Sequence, residues 1–95
     1  MLFNNWRVDA DRAEAHEYGL AAADDCGVAV SGDRGISIVG NGGVAKSGVD
    51  GVLIFIDDSL GYRVVSVAYV GVDGIQPDQF YEFDGEQVVI SNFEG

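Results

Sequence analysis

The sequence predicts an all-β domain: a short β-roll, or β-solenoid, of octapeptide half-coils over residues 11–58, closed by antiparallel β-hairpins. Three observations carry this prediction. Glycine returns at Gly27, Gly35, Gly43 and Gly51, eight residues apart, followed by Val28, Ile36, Val44 and Val52. Turn chemistry recurs in step with it, as "GDRG" at 32–35 and "GNGG" at 40–43, where Gly, Asn and Asp best accept positive φ. Small residues fill alternate places between the turns, which suits a thin core between two close walls.

The first ten residues, "MLFNNWRVDA", form a lead-in without a clear period, and Trp6 is expected to pack in the common core. The octads then run 11–18, 19–26, 27–34, 35–42, 43–50 and 51–58; a short internal repeat of this kind points to a solenoid. The third place of each unit holds Ala13, Ala21, Ala29, Ser37, Ala45 and Leu53, and the fifth holds Ala15, Ala23, Ser31, Val39, Ser47 and Phe55. The second and fourth places include Arg12, Glu14 and Lys46. Alternate strand residues face opposite sides, so the charged places point outward and the small ones inward. An antiparallel meander of consecutive octads is the alternative. It needs bulky residues on its buried face, which the small inward columns do not supply.

In a roll, units two apart stack as parallel strands, so Leu20, Ile36 and Val52 should lie in register. One wall carries Arg12, Glu14 and Lys46 among Val28, Val30 and Val44. The other carries Leu20, Ala22, Ile36, Ile38, Val52 and Ile54 and has no charge. An apolar face of that size is seldom left bare. Leu20, Ile36, Ile38, Val52 and Ile54 are therefore expected to be covered, by residues 62–91 or by a second subunit in a homodimer.

The repeat stops near Asp57, and residues 59–95 form the closing segment of what reads as one domain over residues 1–95. "GVLIFIDDSLGYRVVSVAYVGV" gives two strands around "DDSLGY". "VDGIQPDQ" is a loop, since Pro77 cannot donate to a central ladder. "FYEFDGEQVVI" is a second hairpin with "DG" at its tip. Tyr62, Tyr69, Phe80, Tyr81 and Phe83 are expected to cap the open end of the roll or to lie on the uncharged wall.

Octads of the form A-x-A-x-G-[D or N]-x-G, here "RAEAHEYGLAAADDCGVAVSGDRGISIVGNGGVAKSG", followed by "AYVGVDGIQPDQFYEF", resemble a group of small phage and prophage proteins. The resemblance spans about residues 12–90, implies the repeat fold and brings no catalytic residues. In size and charge alone the chain is also similar to the inhibitors that phages direct against bacterial defence, including anti-CRISPR proteins that act as DNA mimics.

Composition narrows the chemistry. Sixteen acids against five bases give a net charge of -11, which works against direct contact with nucleic acid or an anionic membrane. No Lys or Arg follows Arg63, whereas Asp73, Asp78, Glu82, Asp84, Glu86 and Glu94 do. The single Cys26 suits a reducing compartment. With neither an apolar leader nor a membrane-length run, the chain reads as cytoplasmic, in the host cytoplasm if phage-encoded.

A nucleophile needs a base within hydrogen-bond reach, but the lone His16 and Cys26 fall on opposite corners of a roll. Adjacent acids at Asp24–Asp25 and Asp57–Asp58 read as solvated turn charges. Calcium-binding rolls repeat acids at stacked corners. Here the column Glu17, Asp25, Asp33, Asn41, Val49, Asp57 is interrupted by Val49, so no metal or other cofactor is expected. "GNGGVAKSG" lacks the phosphate-loop spacing.

The expectation is therefore a non-enzymatic acidic binding protein. Its carboxylates would address a basic, nucleic-acid-binding host protein or complex, as a phage-type inhibitor mimicking nucleic acid. The acids expected to carry that contact are Asp24, Asp25, Asp57 and Asp58 on one corner edge, with Asp73, Asp78, Glu82, Asp84 and Glu86 on the base-free tail. The alternative is a structural or assembly module of a phage or prophage, whose acidity serves only solubility.

Overall fold

A computed structural model describes residues 6–94; the part of the lead-in before Trp6 lies outside the described residues. Ten strands follow one another: β1 Trp6–Val8, β2 Arg12–Glu14, β3 Leu20–Ala22, β4 Val28–Val30, β5 Ile36–Val39, β6 Val44–Lys46, β7 Val52–Asp57, β8 Val64–Tyr69, β9 Tyr81–Phe83 and β10 Val88–Ile90. They form two five-stranded sheets. The first runs β1-β3-β5-β7-β8 and the second β10-β9-β6-β4-β2. The chain alternates between the sheets at every corner, so two octads make one coil.

The register follows the octad frame. Leu20 pairs with Ile36 and Ile36 with Val52, in parallel; Val28 pairs with Val44 in the other wall. The structure is thus a β-solenoid, and the meander is not formed. At each corner the first glycine of a unit donates its N–H back to the sixth residue of the unit before, as in Gly27 to Asp24 (2.9 Å) and Gly35 to Gly32 (3.0 Å).

The repeating glycines serve close approach, not positive φ. Positive φ falls at the eighth place instead, on Tyr18, Cys26, Arg34, Gly42 and Asp50. A Cβ on Gly35 would stand 2.6 Å from the Ser31 Cβ, and one on Gly43 would stand 2.6 Å from the Val39 Cβ. The corner folds so tightly that the first place meets the fifth place of the preceding unit. The sixth place is glycine only where a coil lies beneath it: a Cβ on Gly48 would stand 2.7 Å from the Asp33 backbone N. His16 occupies the same place on the first turn of its edge.

The core tapers. Inward residues of the first sheet grow from Ala21 and Ala23 through Ser37 and Val39 to Leu53 and Phe55, while the second sheet stays at Ala13, Ala29 and Ala45. Three buried serines bridge the walls. Ser31 Oγ lies 2.8 Å from Ser37 Oγ and donates to Ser47 Oγ at 2.9 Å, and Ser37 Oγ donates to the Lys46 carbonyl at 2.8 Å. At the wide end Tyr81, 2% exposed, joins the core with Phe83 and Val88 packed beside it; its hydroxyl accepts the Gln76 N–H at 2.7 Å.

Three expectations are corrected. First, the lead-in is not outside the repeat: β1 pairs with β3, Trp6 opposite Leu20. The period is hidden because this coil is two residues shorter than the others. Trp6 is exposed on the outer face, not packed in the core. Second, the closing segment does not cover the uncharged wall. β8 pairs with β7 in the antiparallel sense and extends that sheet sideways, placing Tyr69 opposite Val52 and Val67 opposite Ile54. Tyr62 and Tyr69 remain exposed. Third, the closing segment covers the opposite wall. Phe80 packs on Val28 and Val44, Phe93 meets it edge-on at 4.9 Å, and the Lys46 ammonium sits 4.6 Å from its ring centre.

Candidate functional site

The coil has two corner edges, and strand direction assigns each acid to one of them. Strands β1, β3, β5 and β7 all end at the first edge, which carries Asp9, Asp24, Asp25, Asn41, Asp57 and Asp58. Strands β2, β4 and β6 end at the second, with Glu17, Tyr18, Asp33, Arg34 and Asp50. The tail acids divide between them. β9 runs antiparallel to β6, Tyr81 opposite Ala45, so the β9–β10 turn brings Asp84 and Glu86 to the first edge. Asp73 follows β8 at the second edge, and the backbone N–H of Asp78 donates to the Ser47 carbonyl there at 2.8 Å. Glu82, half-buried, is on β9 beside Tyr81, whose side chain points inward. The nine predicted acids therefore form no single patch.

The first edge is a hydrogen-bonded ladder. Asp25 Oδ1 accepts the Asn41 backbone N–H of the next coil at 2.9 Å. Asn41 Nδ2 donates to Asp58 Oδ1 at 2.5 Å, and the Asp58 N–H returns to Asn41 Oδ1 at 2.9 Å. The octad column names Asp57 for this rung. Because β7 runs straight through Asp57, the chain turns one residue later and Asp58 takes the place. Asp57 instead accepts the Ser59 hydroxyl at 2.6 Å and the Ser59 N–H at 2.8 Å. These bonds, the hydroxyl first, hold its carboxyl below the ordinary aspartate value. Asp24 Oδ1 accepts the Asp25 N–H at 2.8 Å.

Asp9 was beyond the reach of the octad frame because the first coil is short. Its Oδ1 accepts the Asp11 N–H at 3.0 Å and starts the same row. Asp84 Oδ1 accepts the Gln87 and Glu86 N–H groups, both at 2.8 Å. The Gln87 bond is the larger cause of its carboxyl lying below the ordinary value. Arg63 shares the edge, lining one shallow depression with Asp24, Asp25 and Asp58.

The second edge repeats the ladder: Asp33 Oδ1 accepts the Val49 N–H at 2.9 Å. Asp25 and Asp33 of the corner column thus each use a carboxylate oxygen to satisfy a backbone N–H one coil further on. Among the described residues no three His, Cys, Asp or Glu side chains gather as a metal-ligating group. His16 follows β2 at the second edge and Cys26 follows β3 at the first, so the coil holds them apart. An open depression at the second edge is lined by Glu14, His16, Glu17, Asp33, Lys46 and Asp78. In it the Glu14 carboxyl lies below its ordinary value, first through its hydrogen bond from Arg12 at 2.6 Å and then through that guanidinium's charge.

The outer face of the first sheet is the other candidate surface. Leu20, Ile36, Ile38, Val52 and Ile54 line up on it as expected, each half-buried by its neighbours. To these the structure adds Trp6 and Val8 from β1 and Val65, Val67 and Tyr69 from β8. No family model, no curated protein and no solved structure matches the chain. Among the described residues no helix is long and apolar enough to cross a membrane.

Proposed function

We propose that the protein is a non-enzymatic binding protein whose first corner edge presents carboxylates to a basic, nucleic-acid-binding partner. The observation that carries this reading is the ladder itself. Asp24, Asp25 and Asp58 are exposed yet fixed by hydrogen bonds, Asp25 and Asp58 to Asn41 of the corner between them and Asp24 to the Asp25 N–H of its own corner, and Asp9, Asp84 and Glu86 extend the row. Coils stack about 4.8 Å apart, so acids on either side of Asn41 stand roughly 10 Å from one another. One strand of B-DNA rises about 3.4 Å per phosphate, so acids at that spacing match about every third phosphate. Pre-ordered charges lose little freedom on binding, which favours such a row over acids on flexible side chains. The finer reading, a phage-type inhibitor of host defence that works as a nucleic-acid mimic in the cytoplasm, rests on the resemblance in size and charge.

The test is capture of a partner from a host lysate, followed by titration of the purified pair. A mimic binds a protein with a nucleic-acid site, loses affinity steeply as salt rises and is displaced by that protein's own nucleic acid. Binding that is insensitive to both salt and nucleic acid contradicts the reading. A second reading, a structural or assembly module, is favoured by one specific observation: the uncharged outer face of the first sheet. Under it, neutralising the acidic edge lowers solubility and leaves every binding constant unchanged.

A further inference from the structure

Among the described residues nothing covers the uncharged sheet face, and its composition and size identify what fits it. Paired residues of adjacent strands project from the same side of a sheet. From β1 to β8 the outward set is Trp6 and Val8, Leu20 and Ala22, Ile36 and Ile38, then Val52, Ile54 and Ile56, then Tyr69, Val67 and Val65. None is charged or carries a polar group except the Trp6 and Tyr69 rings. Val8 is 78% exposed, Trp6 56%, Val65 and Tyr69 55%, and Val67 44%. Together these side chains leave on the order of 700–800 Å² open, above what monomers usually expose in one patch and about the share one partner gives to a standard interface.

We propose that this face is a homodimer interface, with a second copy of the chain seated on it sheet against sheet. The set is apolar throughout, which is the character of homodimer interfaces; surfaces that meet other proteins transiently are more polar. Two copies of one flat face are self-complementary about a two-fold axis. Two axis directions in the plane of the face bring the copies together. An axis parallel to the strands would set Asp24, Asp25 and Asp58 over their own copies. An axis along the stack of coils runs the strands of the two copies antiparallel. It sets those acids over the edge that holds Glu17, Asp33 and Asp50 as well as Tyr18 and Arg34, where the guanidinium carbon lies 5.6 Å from the tyrosine ring centre. Each edge carries several acids and one arginine, Arg63 on the first and Arg34 on the second, so both arrangements bring acids and a base together.

Light-scattering mass at tens of micromolar protein tests this. The wild-type chain should weigh twice its 10.0 kDa, and the mass should persist when salt is raised, because apolar burial is not screened. Val67→Lys and, separately, Tyr69→Lys should halve the mass with an unchanged far-ultraviolet dichroism spectrum, since both side chains are exposed in the single chain. A wild-type monomer at that concentration overturns the proposal, as does a dimer whose mass neither substitution lowers. Loss of the β spectrum in both variants also overturns it, by showing these side chains to be needed inside the fold. A monomer that sediments with phosphatidylcholine vesicles would assign the face to a lipid surface instead.

Discussion

Neighbouring residues at one corner obey opposite rules. Cys26 holds φ +58° with a side chain attached, whereas Gly27, next to it, has no positive φ but no room: a Cβ there would stand 2.6 Å from the Ala23 Cβ and 2.9 Å from the Ala10 carbonyl. Gly27→Ala should therefore destabilise the fold by about 1–3 kcal/mol, the cost of overpacking. Cys26→Gly relieves a left-handed residue at some entropic cost and should stay within about 1 kcal/mol of neutral. Urea unfolding of the two variants checks the contrast, and equal losses would contradict it. Asp84 gives a second test at this scale. Its carboxyl is held below the ordinary value by the Gln87 and then the Glu86 N–H groups. A group with a depressed folded value stabilises above the unfolded value and loses that contribution as pH falls through the folded one. The Glu86 and Gln87 amide shifts should titrate together, with a midpoint below that of a free aspartate. In Asp84→Asn that transition should vanish. A midpoint at or above the free value would refute the hydrogen-bonded assignment.

At the scale of elements, strand register was legible because one period repeats, and the parts that broke the period were not. Leu20, Ile36 and Val52 stack as the octads predict. β1 was hidden because its coil is short, so Trp6 pairs with Leu20 out of the octad frame. Asp58 replaced Asp57 in the ladder because β7 runs on before turning. The docking of Phe80 on Val28 and Val44 left no local mark at all. It is a long-range choice between two apolar walls, decided where the chain emerges after β8. The inward serines were read only as small residues, but they form a connected network between walls. Each backbone carbonyl they touch keeps a backbone donor: Lys46 O from Ser31 N, Gly32 O from Gly35 N and Gly35 O from Val52 N. Removing one hydroxyl strands its partners, at about 1–2 kcal/mol, whereas removing all of them strands none. Ser31→Ala, Ser37→Ala and Ser47→Ala combined should thus cost clearly less than the three single losses together. Chemical denaturation of the full set of variants measures this, and simple additivity would contradict it.

At the scale of the whole molecule, the solenoid separates its surfaces. One face of the first sheet is uncharged, the opposite wall is covered by Phe80 and Phe93, and the first corner edge gathers Asp9, Asp24, Asp25, Asp58, Asp84 and Glu86. The acids of that edge were partly legible, since the octad frame gives Asp24, Asp25 and Asp58 a common corner. The frame could not divide the tail, because only the antiparallel pairing of β9 with β6 brings Asp84 and Glu86 there and leaves Asp73 and Asp78 at the other edge. That division makes the central claim directly testable. Asp9→Asn, Asp24→Asn, Asp25→Asn, Asp58→Asn and Asp84→Asn keep each accepting oxygen and so the ladder, while Glu86→Gln removes the last charge of the row. A second variant carries Asp73→Asn and Asp78→Asn on the other edge. The decisive measurement is the affinity of a captured basic partner for these two proteins and for the wild type, at fixed salt and with the β spectrum unchanged. The account predicts that neutralising the first edge weakens binding at least tenfold while the change of Asp73 and Asp78 leaves it within about twofold, a difference of about 1 kcal/mol or more. Equal affinity of the first-edge variant and the wild type would contradict it.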